Sequence, residues 1–211
     1  MSLRAVIFDY GEVLCTPDRI AHQRLLQLTG LDHDAFEPLY WRDRRDYDLG
    51  VLDGRAYWAK FARDAGLSFT PAQIDGLIEN DVLMWTDINE PMLAWAQVLH
   101  NTGFLTAILS NMGPDVLRTM RQEFAWLADF NQLTWSCELG IAKPDPAIYT
   151  LTCDKLGVRP DEALFLDDRL DNVRAAEQLG FYAVQFRSIQ QLRVDLASRN
   201  FLSALPAPLP A

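Results

Sequence analysis

Short apolar runs recur along the chain and alternate with longer amphipathic stretches. The first run, residues 5–8, contains branched and aromatic residues without polar alternation, which is typical of a strand buried on both faces. Four later runs have the same character, at residues 104–109, 133–135, 164–166 and 182–186. Helical patterns separate most of these runs. This alternation predicts an α/β fold, in which right-handed crossovers build a doubly wound parallel sheet with helices on both faces.

The interval between the first two runs is too long for a simple crossover. About ninety residues separate the runs, whereas a crossover connection needs only about a dozen. Helical patterns fill this interval at residues 21–28, 35–45, 56–65 and 71–83. We therefore predict a small helical cap domain at residues 16–87. It is inserted into an α/β core domain formed by residues 1–15 and 88–211.

Residues that are costly to bury follow the apolar runs. Asp9 ends the first run, and a buried carboxylate is expensive unless a cation or hydrogen-bond donors meet it. The other candidates are Ser110 and Asn111 after the second run, Lys143 after the third, and Asp167 and Asp168 after the fourth. Because ligands bind at the carboxyl ends of strands in open parallel sheets, we expect these side chains to converge.

Converging carboxylates need a partner of opposite charge. Two or three carboxylates at one point repel each other, and a hard divalent cation such as Mg²⁺ is the common relief. A serine, a lysine and the N-terminus of a helix that Pro114 opens would bind a phosphate group beside the cation. These parts together predict phosphoryl transfer, with Asp9 as a covalent nucleophile.

The amino-acid composition limits the classes of binding partner that we expect. Hydrophobic residues make up 49% of the 211 residues and charged residues 23%, as in an ordinary globular protein. The formal net charge of -10 disfavours nucleic acid and anionic membranes. Three cysteines form no CxxC pair, no apolar run has transmembrane length, and no secretion signal opens the chain. We therefore expect a cytoplasmic protein that binds a small phosphorylated metabolite.

Three other features favour a structural interpretation. His22, His33 and His100 have no metal-ligand spacing, which indicates surface or capping histidines. The mixed charges and aromatics of residues 40–48 are more typical of a solvated helix face over a small core than of a substrate site. The proline-rich tail, residues 202–211, is predicted to be extended.

Four motifs make the chain similar to the haloacid dehalogenase-like (HAD) hydrolases. They are the segments 6–14, 109–111, 143–144 and 165–172, and they occur in the family's order. The helical insertion resembles the cap of the helical-cap (subfamily IA) phosphatases in this family. The resemblance implies a Rossmann-like core with an inserted cap, and Mg²⁺-dependent hydrolysis of a phosphate monoester.

The resemblance also implies how the acidic residues act. Asp9 would attack phosphorus and become an aspartyl-phosphate, which water then hydrolyses. Mg²⁺ would be held by the Asp9 carboxylate, the Gly11 backbone carbonyl and Asp168. Asp167 would be a further ligand or would orient a bound water.

Four further positions are implied to bind or support the phosphate. Ser110, Asn111 and Lys143 would contact its oxygens, and Lys143 would also balance the carboxylates and take part in catalysis. Asn172 would brace the acidic loop from behind.

The sequence departs from the family's pattern at Gly11. Most phosphatases of the family carry a second aspartate there as the general acid for the leaving group. A branch with glycine at this position still includes phosphatases, among them ones that resemble sugar-1-phosphate phosphatases. An anomeric leaving group is less basic than a simple alcohol and depends less on an acid. Glu12 or Asp18 could substitute, although an extended turn would point Glu12 away from Asp9.

Two other functions remain open. A 2-haloacid dehalogenase uses the same aspartate to attack carbon without a metal, but those enzymes carry a tyrosine, not a glycine, two residues after the nucleophile. The second alternative is a non-catalytic phosphate-binding member of the family. The physiological substrate, the choice between monomer and homodimer, and the cap residues that contact substrate are not predicted from the sequence.

Overall fold

The computed structural model describes residues 3–208 and contains a five-stranded parallel sheet. Its strands are β1 Ala5–Phe8, β4 Leu105–Ser110, β5 Gln132–Trp135, β6 Ala163–Asp167 and β7 Tyr182–Gln185. The order across the sheet is β5-β4-β1-β6-β7. The chain builds outward from β1 to β5, then returns to the other side of β1. This reversal opens a crevice at the carboxyl end of β1, where such sheets bind ligands.

Eleven α-helices accompany the strands within residues 3–208. They are α1 Arg19–Thr29, α2 His33–Arg42, α3 Arg44–Asp48, α4 Gly54–Ala65, α5 Pro71–Met84, α6 Glu90–Asn101, α7 Pro114–Glu123, α8 Ser136–Leu139, α9 Pro146–Leu156, α10 Leu170–Gln178 and α11 Ile189–Ser198. Short 3₁₀ helices span Ala125–Asp129, Pro160–Glu162 and Phe201–Ser203. None of the helices described is both long and apolar enough to cross a bilayer.

Alternate residues of β1 explain why both faces of the sheet are covered. Val6 and Phe8 pack into one hydrophobic cluster, which includes residues of α6, α7 and α11. Ala5 and Ile7 pack into a second cluster with residues of α9 and α10. All four strand residues are fully buried, as their unbroken apolar run predicts. The predicted doubly wound α/β fold is therefore confirmed.

The helices α1 to α5 surround a third hydrophobic cluster. Its largest buried side chains are aromatic: Phe36, Tyr40, Tyr47, Tyr57, Trp58 and Phe61. Before and after these helices, β2 (Cys15–Thr16) and β3 (Asp87–Ile88) pair antiparallel, so the chain leaves and re-enters the core at one place. The predicted domain boundaries at 15/16 and 87/88 fall in or beside this pair, and the division into core and cap stays a prediction.

The charged run at residues 40–48 is not simply a solvated face, so that prediction was wrong in part. Arg44 is only 6% exposed. Its guanidinium lies 2.8 Å from Asp81 Oδ1 and 3.1 Å from Asp48 Oδ1, and about 5 Å from the ring centres of Tyr40 and Tyr47. Carboxylates and aromatic faces together replace the water that an arginine loses on burial.

His22 is half-buried and His33 is exposed, and the fold of α1 against α2 places their rings 5.6 Å apart beside Glu37. One other structural expectation needs correction. The tail is not extended throughout, since Phe201–Ser203 forms a 3₁₀ helix. The last three residues of the predicted tail, 209–211, lie outside the described residues.

Asp115 on α7 fastens the inserted helices to the core. Its Oδ2 atom accepts hydrogen bonds from the Gly54 backbone N–H at 2.8 Å and from the Tyr47 hydroxyl at 3.1 Å. The Tyr47 ring in turn covers the backbone of Gly113, so closely that a β-carbon at Gly113 would overlap the ring. Close contact between the two parts of the chain thus requires glycine at position 113.

We expect Gly113→Ala to lower the free energy of unfolding. Tyr47 cannot move aside without losing its bond to Asp115, and overpacking of this kind costs about 1–3 kcal/mol. In a chain of this size each 1 kcal/mol lowers Tm by about 2–4 °C, which thermal denaturation measures.

Gly76→Ala is the matched control. Gly76 lies inside α5, and its new methyl group would meet Leu28 at an ordinary 3.7 Å. Because alanine has a higher helix propensity than glycine, the free energy of unfolding of this variant should rise by up to about 1 kcal/mol. Equal Tm values for the two variants would contradict the close contact inferred at Gly113.

Candidate active site

A cavity of about 640 Å³ opens at the carboxyl edge of the sheet, beside the ends of β1, β4 and β6. It is lined by seven of the eight site residues predicted from the sequence: Asp9, Gly11, Ser110, Asn111, Lys143, Asp168 and Asn172. The eighth, Asp167, is completely buried and bonded to two of them. The structure therefore brings all eight residues to one place.

Lys143 is the central cation of this group. Its ammonium nitrogen lies 2.8 Å from Asp9 Oδ1 and 2.7 Å from Asp167 Oδ2, and the residue is only 2% exposed. Burial alone would lower the pKa of Lys143, but the carboxylates of Asp167 and Asp9 outweigh it and raise the pKa above its ordinary value. The side chain is therefore an ammonium ion that links two strand ends.

Asp9 is held by one of its two carboxylate oxygens. Oδ1 accepts hydrogen bonds from the Tyr10 backbone N–H at 2.7 Å and from Lys143. Burial raises the pKa of Asp9 to about 7, against the lowering effect of Lys143 and with a further contribution from Asp167. Among residues 3–208, no hydrogen bond is made to Oδ2, which remains available for chemistry.

Asp167 supports the site from behind. Its Oδ1 accepts from the Arg169 backbone N–H at 2.8 Å and from the Asn172 amide at 3.0 Å. Its Oδ2 accepts from Lys143 and again from Asn172, at 3.1 Å. With both oxygens occupied and no exposed surface, Asp167 serves to position Lys143 and the loop that follows β6.

The neighbouring Asp168 lines the cavity and carries an unfavourable charge. Burial, and then repulsion from Asp167, raise the pKa of Asp168 to about 6. Asp9, Asp167 and Asp168 each offer one oxygen, and these three oxygens lie within 4.8 Å of one another. A single ammonium cannot balance three carboxylates, so the oxygen-only donor set fits a hard divalent cation such as Mg²⁺.

Asn111 has a structural contact that the sequence did not suggest. Its amide donates to the Lys143 carbonyl at 2.9 Å and accepts from the Lys143 backbone N–H at 2.8 Å. This reciprocal pair fixes the loop from which Lys143 reaches the carboxylates. Within residues 3–208, the hydroxyl of Ser110 at the end of β4 makes only a long 3.5 Å contact with the Asn111 carbonyl, so it can turn toward a ligand.

An aromatic ring borders Gly11. A β-carbon at Gly11 would lie 3.4 Å from the Trp85 ring, which is an ordinary van der Waals contact. The next residue, Glu12, has φ of 58°, a left-handed turn and not the extended conformation expected, and it lines the cavity. Asp18 is not among the cavity residues and caps α1 through the Ile20 N–H.

Sequence reasoning missed the wall that the inserted helices contribute. This wall consists of Trp41, Arg44, Arg45, Asp48 and Trp85. Burial raises the pKa of Asp48 to about 6, although Arg44 opposes this effect. A usable signal was present, because Tyr40, Arg44 and Asp48 recur every four residues and so lie on one face across α2 and α3.

Comparison with known proteins decides the family. The model of the haloacid dehalogenase-like hydrolase family matches residues 3–180, which is most of the chain. The chain belongs to this family. The family resemblance expected from the motifs is therefore confirmed, while the helical-cap subfamily, the phosphatase class and the likeness to sugar-1-phosphate phosphatases stay predictions.

The curated relatives of this HAD hydrolase carry different activities. It is 28% identical to bifunctional epoxide hydrolase 2 of Sus scrofa over 229 aligned residues, which cover 99% of this chain and 40% of the pig protein. It is 34% identical to (S)-2-haloacid dehalogenase 1 of Pseudomonas sp. strain CBS-3 over 93 residues, 44% of this chain and 41% of the relative. The aligned stretches thus span less than half the length of these relatives.

Solved structures share the fold. A HAD family enzyme from Bacteroides thetaiotaomicron, in complex with magnesium and inorganic phosphate, superposes with a TM-score of 0.73 at 18% identity. The match covers 88% of this chain and 95% of that chain. A 2-haloacid dehalogenase from Pseudomonas syringae matches with a TM-score of 0.61 at 20% identity, over 87% and 86% of the two chains.

We expect Asp168→Asn to stabilise the metal-free HAD hydrolase at about pH 8. The pKa of Asp168 is higher in the folded protein than in the unfolded chain, so proton binding to Asp168 stabilises the fold at low pH. This stabilisation is lost as the pH rises through the folded-state pKa of about 6. Removing the charge should raise the free energy of unfolding by about 1 kcal/mol, which corresponds to about 2–4 °C in Tm. This value allows for the partial exposure of Asp168 to solvent.

Thermal denaturation in a chelator at about pH 8 and pH 4 tests this expectation. The advantage of Asp168→Asn should shrink at the lower pH, where the wild-type carboxyl group is protonated. Asp154→Asn, a change at an exposed residue of α9, is the control. A destabilised Asp168→Asn variant at the higher pH would show that the carboxylate charge is not unfavourable.

Proposed function

We propose that this chain is a Mg²⁺-dependent phosphomonoester hydrolase that acts on a small phosphorylated metabolite, such as a sugar phosphate, through an aspartyl-phosphate on Asp9. The observation that carries the proposal is the meeting of three carboxylates and one buried ammonium in a single cavity. The cavity volume of about 640 Å³ suits a metabolite of modest size.

The nucleophile is Asp9 Oδ2, because Oδ1 is held by Tyr10 and Lys143. In the first step the Oδ2–P bond forms, and the bond from phosphorus to the leaving-group oxygen breaks. In the second step water attacks phosphorus, which releases phosphate and restores the Asp9 carboxylate. The ammonium of Lys143, already beside Oδ1, stabilises the negative charge that collects on the phosphoryl oxygens.

Mg²⁺ would be held by the carboxylates of Asp9 and Asp168 and by the Gly11 carbonyl, since these three residues line the same cavity. When bound, it supplies positive charge that draws in the phosphate and polarises it. The cavity needs this charge, since five carboxylate side chains line it against four cationic ones, and the whole chain has a net charge of -10. Ser110, Asn111 and Lys143, which line the same cavity, would bind the phosphate oxygens.

Two observations favour phosphate over a halogenated acid. Both acidic residues after β6 are present and lie within reach of Asp9, whereas attack on carbon needs no metal. The structure of the Bacteroides thetaiotaomicron neighbour contains magnesium and inorganic phosphate. We further propose that the protein acts in the cytoplasm, as a monomer or a homodimer, and binds neither nucleic acid nor a membrane.

We expect hydrolysis of an aryl phosphate to require Mg²⁺ and to fall at least about 10⁴-fold in Asp9→Asn. An aryl leaving group needs no general acid, so the assay does not depend on the missing aspartate at Gly11. Release of the phenol is measured with and without chelator. Asp18→Asn, which alters a helix cap and no cavity residue, should retain activity.

Other outcomes would select other functions. Metal-independent chloride release from 2-chloropropionate would replace the proposal with a dehalogenase. Inertness toward both substrates, with retained binding of inorganic phosphate, would indicate a non-catalytic phosphate-binding protein.

We also expect sugar-1-phosphates to be hydrolysed with kcat/KM at least about tenfold above that of sugar-6-phosphates. Glycine at position 11 has no side chain that could protonate the leaving group. General acids typically contribute about 10²–10⁴-fold, and their absence penalises the more basic leaving group most. A panel of both classes measures the ratio, and a preference for 6-phosphates would contradict this reasoning.

A further inference from the structure

A second set of metal-ligating side chains lies on the inserted helices, and none of them lines the cavity. His22 comes from α1, while His33 and Glu37 come from the first turns of α2. Each offers one ligand atom, and these atoms lie within 4.8 Å of one another. The contact pairs are His22 Nε2 with Glu37 Oε1 at 2.9 Å and His33 Nδ1 with the same oxygen at 3.8 Å.

These separations are close to those of a tetrahedral metal site. Zinc binds imidazole nitrogen and carboxylate oxygen at about 2.0–2.1 Å, which places neighbouring tetrahedral ligands about 3.3 Å apart. One observed separation is shorter than this value and the other longer, so small side-chain rotations would equalise them. His33 is 64% exposed on its side chain and can rotate freely.

The neighbours of the group orient its ligands. The His22 ring packs edge-on against the buried Phe36 ring, with centroids 5.7 Å apart, which limits its rotation. Glu37 Oε2, the oxygen not shared with the histidines, accepts a hydrogen bond from the Trp41 indole N–H at 2.8 Å. Outer hydrogen bonds of this kind fix a ligating carboxylate and support metal affinity.

We propose that His22, His33 and Glu37 form a binding site for Zn²⁺ or a similar divalent transition metal. Two imidazole nitrogens and one carboxylate match the ligand preference of such ions, whereas Mg²⁺ prefers oxygen alone. The ion joins α1 to α2, and water completes its coordination. Through Glu37 it also steadies Trp41, which lines the wall of the cavity.

The competing explanation is a simple hydrogen bond between His22 and Glu37 that ties the two helices without any metal. The two explanations differ at His33, which contributes nothing to that hydrogen bond. Metal binding that depends on His33 therefore identifies the site.

Zinc titration of the full chain, purified without a histidine tag and in excess Mg²⁺, tests the proposal. The excess Mg²⁺ occupies the acidic site at Asp9, so that the titration measures Zn²⁺ binding at the second site alone. One Zn²⁺ should bind per chain and raise Tm. His22→Ala and His33→Ala should each weaken binding at least about tenfold, as even loss of an outer partner does. Glu37→Gln should weaken it while keeping a hydrogen-bonding side chain.

His100→Ala is the matched control, since His100 is an exposed histidine on α6. The chain has three histidines, so their imidazole nitrogen signals can be followed individually by NMR. We expect Zn²⁺ to shift the signals of His22 and His33 and to leave that of His100 unchanged. Binding that is unaffected by His33→Ala, that Mg²⁺ displaces, or that shifts all three histidines alike would overturn the proposal.

Discussion

The contact between the Lys143 ammonium and the two carboxylates of Asp9 and Asp167 is the interaction on which the site depends. It joins residues that are 24 and 134 positions from Lys143 along the chain, at distances of 2.7 and 2.8 Å, and all three residues are buried. An unpaired charge of either sign would be costly there. The lysine remains protonated because two carboxylates surround it, and both carboxylates can be buried because the lysine is present.

The single positive charge of Lys143 does not neutralise all the carboxylates of the site. Burial, with repulsion from Asp167, raises the pKa values of Asp9 and Asp168 to about 7 and about 6, and Asp168 adds a third carboxylate to a site with one buried ammonium. In the proposed function a small divalent cation would offset this negative charge and attract an anionic substrate. Asn111 and Asn172 hold the lysine loop and the Asp167 carboxylate in place, so the charged groups are arranged before a ligand arrives.

The inserted helices form one wall of the cavity. The Trp85 ring borders Gly11, and Trp41 and Arg45 add an aromatic and a cationic surface. The buried charges of Arg44, Asp48 and Asp81 make this wall rigid, because each is paired within the helices. The same helices carry the His22, His33 and Glu37 group, whose bond to Trp41 connects it with the cavity.

The sequence by itself determined the parallel sheet, because unbroken apolar runs followed by Asp9, Ser110 and Asp167 are local signals. The grouping of these residues into one site could also be predicted, since strand ends at one edge of a parallel sheet must lie close together. Only the tertiary structure decided the reciprocal bonds of Asn111, the burial of Arg44, the ring over Gly11 and the meeting of His22 with His33. These features join residues that are distant along the chain, and their contacts depend on helix packing, which local periodicity does not specify.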